Sequence, residues 1–260
     1  AEEPEKTEML RVELLARSQK NPDLDYYAEM LIWYYLQKKE FSGAVIQAKA
    51  FDKRKGLNGK KVFEIAKICQ VNKSYDAAKK AFQYIIELGE NSPYYTYAVE
   101  ATLNIEFTIL TERSDFSSAD LELLATKYEA ALTSMGKSTA TLGLMIQLAK
   151  IYAFYLNQPT NAEKIVKEAL LMQINPRQRA ELKILLGDIY VVSDRIWDAS
   201  ILYMQVEKEF SEDVIGHEAK YKNACVFYYD GEFEYAKAQL DVLKASTSKL
   251  IANDAMQLSL

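Results

Sequence analysis

Few residues in this 260-residue sequence have the types and spacing to do chemistry. "SMGKST" (134–139) holds the Gly-Lys-Ser of a phosphate loop. The full signature needs a glycine five residues before Gly136, where Ala131 stands, and a preceding strand, where the pattern is helical. Gly136 therefore reads as a helix-ending glycine. His217, the sole histidine, could act as a base, but no Ser or Cys nucleophile accompanies it in a recognisable arrangement. It stands at a predicted junction between helical units and reads as structural or exposed. Cys69 and Cys225 lie far apart with no CxxC pairing, which supports neither a disulfide framework nor a zinc site. Each reads as a small hydrophobe.

The charged runs add no reactive array. "AEEPEK" and "SED" lack the spacing of a calcium loop. "NKS" (72–74) fits a glycosylation sequon but falls at a predicted turn. The formal net charge of −5 argues against sequence-independent nucleic-acid binding, which depends on phosphate neutralisation. The densest basic run, "KAFDKRKGLNGKK" (49–61), straddles a predicted turn and reads as a solvated loop. No apolar run approaches the ~18 residues of a membrane span. The reading is a protein that is not an enzyme, with no cofactor, no metal, no membrane insertion and no small-molecule substrate.

The elements that carry these residues are helical. Gly (9) and Pro (5) are scarce, so hairpin turns and flexible linkers have little material. Long stretches rich in Ala, Leu, Lys, Glu and Gln favour helix. Within "NKSYDAAKKAFQYII" (72–86), Tyr75, Ala78, Phe82 and Ile85 are spaced as one helical stripe. Preceded by Ala66 and Cys69, they form a six-position set that recurs with the same internal spacing. It reads Ile32, Tyr35, Phe41, Ala44, Ala48, Phe51 earlier in the chain. Later it reads Gly187, Tyr190, Ile196, Ala199, Tyr203, Val206, and then Ala224, Phe227, Phe233, Ala236, Leu240, Leu243. Each unit is two amphipathic helices joined by a short polar break ("QKKE", "VNKS", "VSD", "YDGE"). Small residues stand where the helices must approach most closely, and larger rings fill the adjoining gaps. One such hairpin cannot cover its own apolar face, so successive units must stack.

The pattern resembles the tetratricopeptide repeat (TPR) family. Its Leu-Gly, Tyr, small and aromatic positions are visible in "LLGDIYVVSDRIWDASILYMQVEKEF" (185–210) and, in part, in "GEFEYAKAQLDVL" (231–243). Ala44 and Ala78 are 34 residues apart, the period of that family. The resemblance implies an all-α, right-handed superhelix of helical hairpins. The expected organisation is a single repeat domain over 1–260. A partial repeat (1–24) precedes repeats 25–58, 59–92, 93–138, 139–175, 176–213 and 214–247, and 248–260 starts another. Pro22, Pro93 and Pro176 are expected to open helices after an Asn or Ser cap. The 139–175 unit, with Ala149, Tyr152 and Ala162, needs one extra residue, expected in its turn. "LIANDAMQLSL" is apolar where a terminal cap should be polar, which points to a segment of a longer solenoid.

The face opposite the packing stripe of each first helix is the candidate binding surface. With Ala66, Gly187 or Ala224 as position 8, positions 2, 5, 9 and 12 point roughly 140° away from the packing residues. They hold Tyr26, Trp33, Lys60, Phe63, Lys67, Tyr95, Phe154 (with a one-residue shift), Tyr221 and Tyr228, with Tyr229 beside them. Aromatic rings of this kind suit a groove for a partner protein or peptide. The resembled family also clamps carboxylate termini with groove Lys, Asn and Arg. Here those positions carry Glu29, Trp33, Phe63, Glu64, Glu181, Ile184 and Asp188, so the clamp is not expected. The functional expectation is a protein-interaction scaffold that binds a partner protein or peptide along its concave, aromatic-lined groove. The alternatives are a recruiting or regulatory segment of a larger enzyme or sensor, or a bacterial envelope assembly factor. No signal peptide is visible. Ala1 fits a processed terminus, so a cytoplasmic location and a periplasmic or secreted one are both open.

Overall fold

A computed structural model describes residues 3–21, 24–243 and 253 of the chain. Every regular element among these is helical. The first stretch carries α1 (Glu3–Lys20), α2 (Asp25–Gln37), α3 (Phe41–Lys55), α4 (Lys60–Val71), α5 (Tyr75–Glu87) and α6 (Tyr95–Glu112). There follow α7 (Ser118–Met135), α8 (Leu142–Lys150), a π turn (Ile151–Tyr155) and α9 (Pro159–Leu170). The last are α10 (Pro176–Val192), α11 (Ile196–Glu209), α12 (Val214–Tyr229) and α13 (Phe233–Leu243). Contacts gather into two units, residues 1–116 and 117–260. Within each, consecutive helices pack as antiparallel neighbours, giving an all-α repeat architecture. Pro22, Ala1 and all of 248–260 except Asn253 lie outside the described residues.

The six-position set forms the packing between helices. Ala66, Cys69, Ala78, Phe82 and Ile85 are fully buried, as are Ala44, Ala48, Ala199, Val206, Ala224, Ala236 and Leu240. The third position of each set stays partly open: Phe41, Tyr75 and Ile196 are half-buried and Phe233 is exposed, and in the last set Phe227 is half-buried as well. The third position lies in the first turn of the second helix, where the partner helix has already ended. Gly187 shows why small residues are needed. A Cβ there would sit 2.5 Å from a ring carbon of Tyr203.

The breaks between paired helices share one device. Lys39, Lys73, Asp194 and Gly231 adopt positive φ (57°, 56°, 59° and 91°). The amide after each donates to a carbonyl five residues back: Glu40 to Tyr35, Ser74 to Cys69, Arg195 to Tyr190 and Glu232 to Phe227, each at 2.9 Å. This satisfies a carbonyl that the helix end would otherwise leave unpaired. The 139–175 hairpin keeps the device but spaces it differently. Asn157 takes positive φ (51°), and the Gln158 amide reaches the Tyr152 carbonyl six residues back at 2.7 Å. The extra residue expected in the turn is instead absorbed inside the helix, as the π turn Ile151–Tyr155, with Leu156 N donating to Ile151 O at 3.0 Å.

Helix starts follow their caps. Ser117 and Asp120 form a reciprocal capping box at α7 (2.9 and 3.2 Å), and Asn175 with Gln178 does the same at α10, with Pro176 in the first turn. Pro93 departs from expectation. It lies in a turn ahead of α6, and Ser92 beside it donates to Asn58 O at 2.8 Å. Gly136 ends α7 with φ 76°, and Lys137 beside it pairs with Glu168, as a helix stop rather than a phosphate loop requires.

Candidate interaction surface

In the first unit, Tyr26 and Trp33 project from α2, seven residues apart and therefore on one face. They are 64% and 55% exposed, while Leu31, Ile32 and Tyr35 of the same helix are buried. Lys60, Phe63 and Lys67 share a face of α4. Lys60 and Lys67 are exposed, and the Lys67 ammonium lies 5.5 Å from the centre of the Phe63 ring. Phe63 itself is half-buried. It stacks on Tyr94 (4.4 Å between centroids, 21° between planes) and meets Tyr97 edge-to-face at 5.0 Å. Much of its area is thus spent on the next helix, and Tyr94 and Tyr97 join the surface that spacing alone had assigned to Phe63. Tyr95 is half-buried. Burial, then the neighbouring Glu100, pushes the Tyr97 phenol above its ordinary value, and burial raises the Glu100 carboxyl.

In the second unit, Tyr229 is 80% exposed, and Tyr228 is half-buried between it (5.6 Å) and Phe233 (5.4 Å). Tyr221 packs on Ala224, Leu240 and Leu243. Phe154 is exposed in the π turn. The structure therefore brings Phe63 to Lys67 and Tyr228 to Tyr229.

Polar groups tie successive hairpins together. Asp188 accepts from Tyr203 Oη at 2.7 Å and from Lys222 Nζ at 2.9 and 3.0 Å. Burial, then Asp188, raises the Tyr203 phenol well above the ordinary range. Glu163 receives Lys167 (2.6 Å), Arg195 (3.1 Å) and the Tyr190 hydroxyl (3.2 Å). Burial pushes the Glu163 carboxyl up, but the hydrogen bonds from Lys167 and Arg195 prevail and hold it below its usual value. Arg195 also lies 3.9 Å over the Tyr190 ring.

One residue escaped the sequence reading altogether. Asp52, within the basic run, is 1% exposed. Its carboxylate accepts from Gly59 N at 2.8 Å and Lys61 N at 3.0 Å, capping α4 from the preceding helix, with Tyr84 Oη at 3.3 Å. Among the described residues, no three His, Cys, Asp or Glu side chains converge as metal ligands, and no helix is long and apolar enough to cross a membrane.

This architecture is that of tetratricopeptide-repeat proteins. It is similar to a thermophilic TPR protein of Thermus thermophilus, at 14% identity and a TM-score of 0.53, over 76% of this chain and 96% of that one. A tetratricopeptide repeat protein of Parabacteroides merdae matches at 12% identity and 0.54, over 96% of this chain and 90% of that one. The APC/C hetero-tetramer Cut9–Hcn1 matches at 15% identity and 0.60. There 98% of this chain is covered but only 46% of that one, so the present chain spans under half of its length. At such identities the likeness establishes the fold alone. No family model and no curated protein matches the sequence.

Proposed function

We propose that this chain is a non-enzymatic scaffold that binds a protein partner through the outward faces of the first helices of its hairpins. The observation that carries the reading is the pair Tyr26 and Trp33. Two large rings stay more than half exposed on one face of α2, although the opposite face of that helix is sealed into the core. An exposed Trp is costly to leave in water and yields much when a partner covers it. Lys60 and Lys67, exposed on α4, add charge that orients an approaching segment. The Cut9–Hcn1 structure, by its name a hetero-tetramer, supplies a precedent for this fold within a protein assembly.

The test is affinity capture of partners from the source cell by the parent chain and by the variants Trp33→Ala and Tyr228→Ala. Loss of captured protein with a melting temperature close to the parent's supports the reading. Undiminished capture by both variants removes these rings from any interface, and a large fall in melting temperature marks them as core.

A further inference from the structure

The second unit holds a cleft of about 250 Å³ formed by the first helices of three successive hairpins, α8, α10 and α12. Its floor is aliphatic. Ile184 and Leu185 of α10 and Ile215 of α12 are each no more than 5% exposed, and Ile146 of α8 is half-buried. Its rim is charged. Asp188 is already committed to Lys222 and Tyr203. Glu181 meets Arg177 only at 3.6 Å, with both side chains about half exposed, a geometry that contributes little. Glu218 is exposed and makes no ion pair among the described residues. Lys150 closes the α8 side.

The geometry points to this cleft as the seat of one aliphatic side chain of a partner segment, with an adjacent Lys or Arg held between Glu181 and Glu218. This inference rests on the scaffold reading and specifies its partner chemistry. The volume is that of a side-chain pocket rather than of a cofactor site, which is typically ~300–1,000 Å³. An aliphatic floor beneath the weakly paired Glu181 and the exposed Glu218 selects an apolar residue next to a cation, because each contact alone is available on any surface. Lys150, on α8 rather than on the helices that carry the two glutamates, serves a backbone carbonyl of the bound segment. An acidic segment would set its charges against Glu181 and Glu218 and is rejected.

The test is selection from a phage-displayed library of random twelve-residue peptides on the full chain, followed by fluorescence-polarisation titration of the enriched peptides. The expected result is a consensus of Leu, Ile or Met beside Lys or Arg. Its affinity should fall at least tenfold in the double variant Glu181→Gln/Glu218→Gln, and fall with added salt. Glu90→Gln, at an exposed position in the other unit, should leave that affinity unchanged. An acidic or charge-free consensus, the absence of any enriched peptide, or equal binding by the double variant would each overturn the inference. If capture of cellular partners fails in Trp33→Ala while no basic peptide binds here, the inference falls and the scaffold reading stands. If the basic peptides bind but capture is untouched by Trp33→Ala and Tyr228→Ala, the cleft stands and the aromatic surface falls.

Discussion

The Tyr203 hydroxyl donates to Asp188 at 2.7 Å across a hairpin in which Gly187, the residue before that aspartate, leaves no room for a side chain. Ring and glycine are complementary in shape, and hydroxyl and carboxylate in charge. Gly187→Ala places a methyl group 2.5 Å from the ring and should cost about 1–3 kcal/mol. Tyr203→Phe keeps the ring and loses only the hydrogen bond, about 0.5–1.5 kcal/mol. Denaturant unfolding that ranks the phenylalanine variant as the more damaged would contradict this account.

Ala78 has no exposed surface and lies in the same buried cluster as Phe82 and Ile85. Ala78→Leu should lower stability by about 1–3 kcal/mol through overpacking. Tyr229→Ser, at an 80% exposed position, should change it by less than about 0.5 kcal/mol. Thermal melts of the two variants check the contrast, and a parent-like melt of Ala78→Leu would put the repeat register in doubt.

Asp52→Ala leaves the Gly59 and Lys61 amides without their acceptor. The loss should be about 1–3 kcal/mol, since the Gly59 amide is left unpaired in a buried site. Hydrogen exchange should quicken at residues 59–61 before it does elsewhere, which separates loss of a cap from general destabilisation.

Burial pushes the Cys69 thiol up to about 11. An ordinary thiol titrates near ~8.5. The folded state therefore holds a proton that the unfolded state has released, so this contribution is complete below the ordinary value and is lost as pH rises towards 11. Cys69→Ala should flatten the fall of stability across that window. In native protein the half-buried Cys225 should react first with a thiol reagent, and Cys69 only on unfolding.

The repeat could be read from the sequence because its buried positions are also its compositionally restricted ones. Ala66, Ala78 and Gly187 must be small, and Phe82 and Tyr203 must fill what the small residues leave. Gly136 was legible as a helix stop for a similar reason: its type and its local context agree. The π turn was not legible, because spacing counts the extra residue between Ala149 and Ala162 without saying which backbone bond accommodates it. Asp52 was hidden by its lysine and arginine neighbours, since the amides that donate to it belong to the start of the following helix. The outward face was read by ring type. That reading overlooked Tyr94 and Tyr97 against Phe63, and it named Glu181 and Ile184 only as groove positions lacking the carboxylate clamp, because neither is aromatic.

The π turn at Ile151–Tyr155 also bears on how such arrays change length over time. One residue added to an α-helix rotates everything after it by about 100°. Here the added residue is confined to five positions, and Asn157 and Gln158 then lead into α9 through the same positive-φ device as the other hairpins, with the amide reaching one residue further back. A single-codon insertion can thus be accommodated without turning the next buried stripe to solvent. Chains of this kind can drift in length while each hairpin still presents its apolar edge to its neighbour.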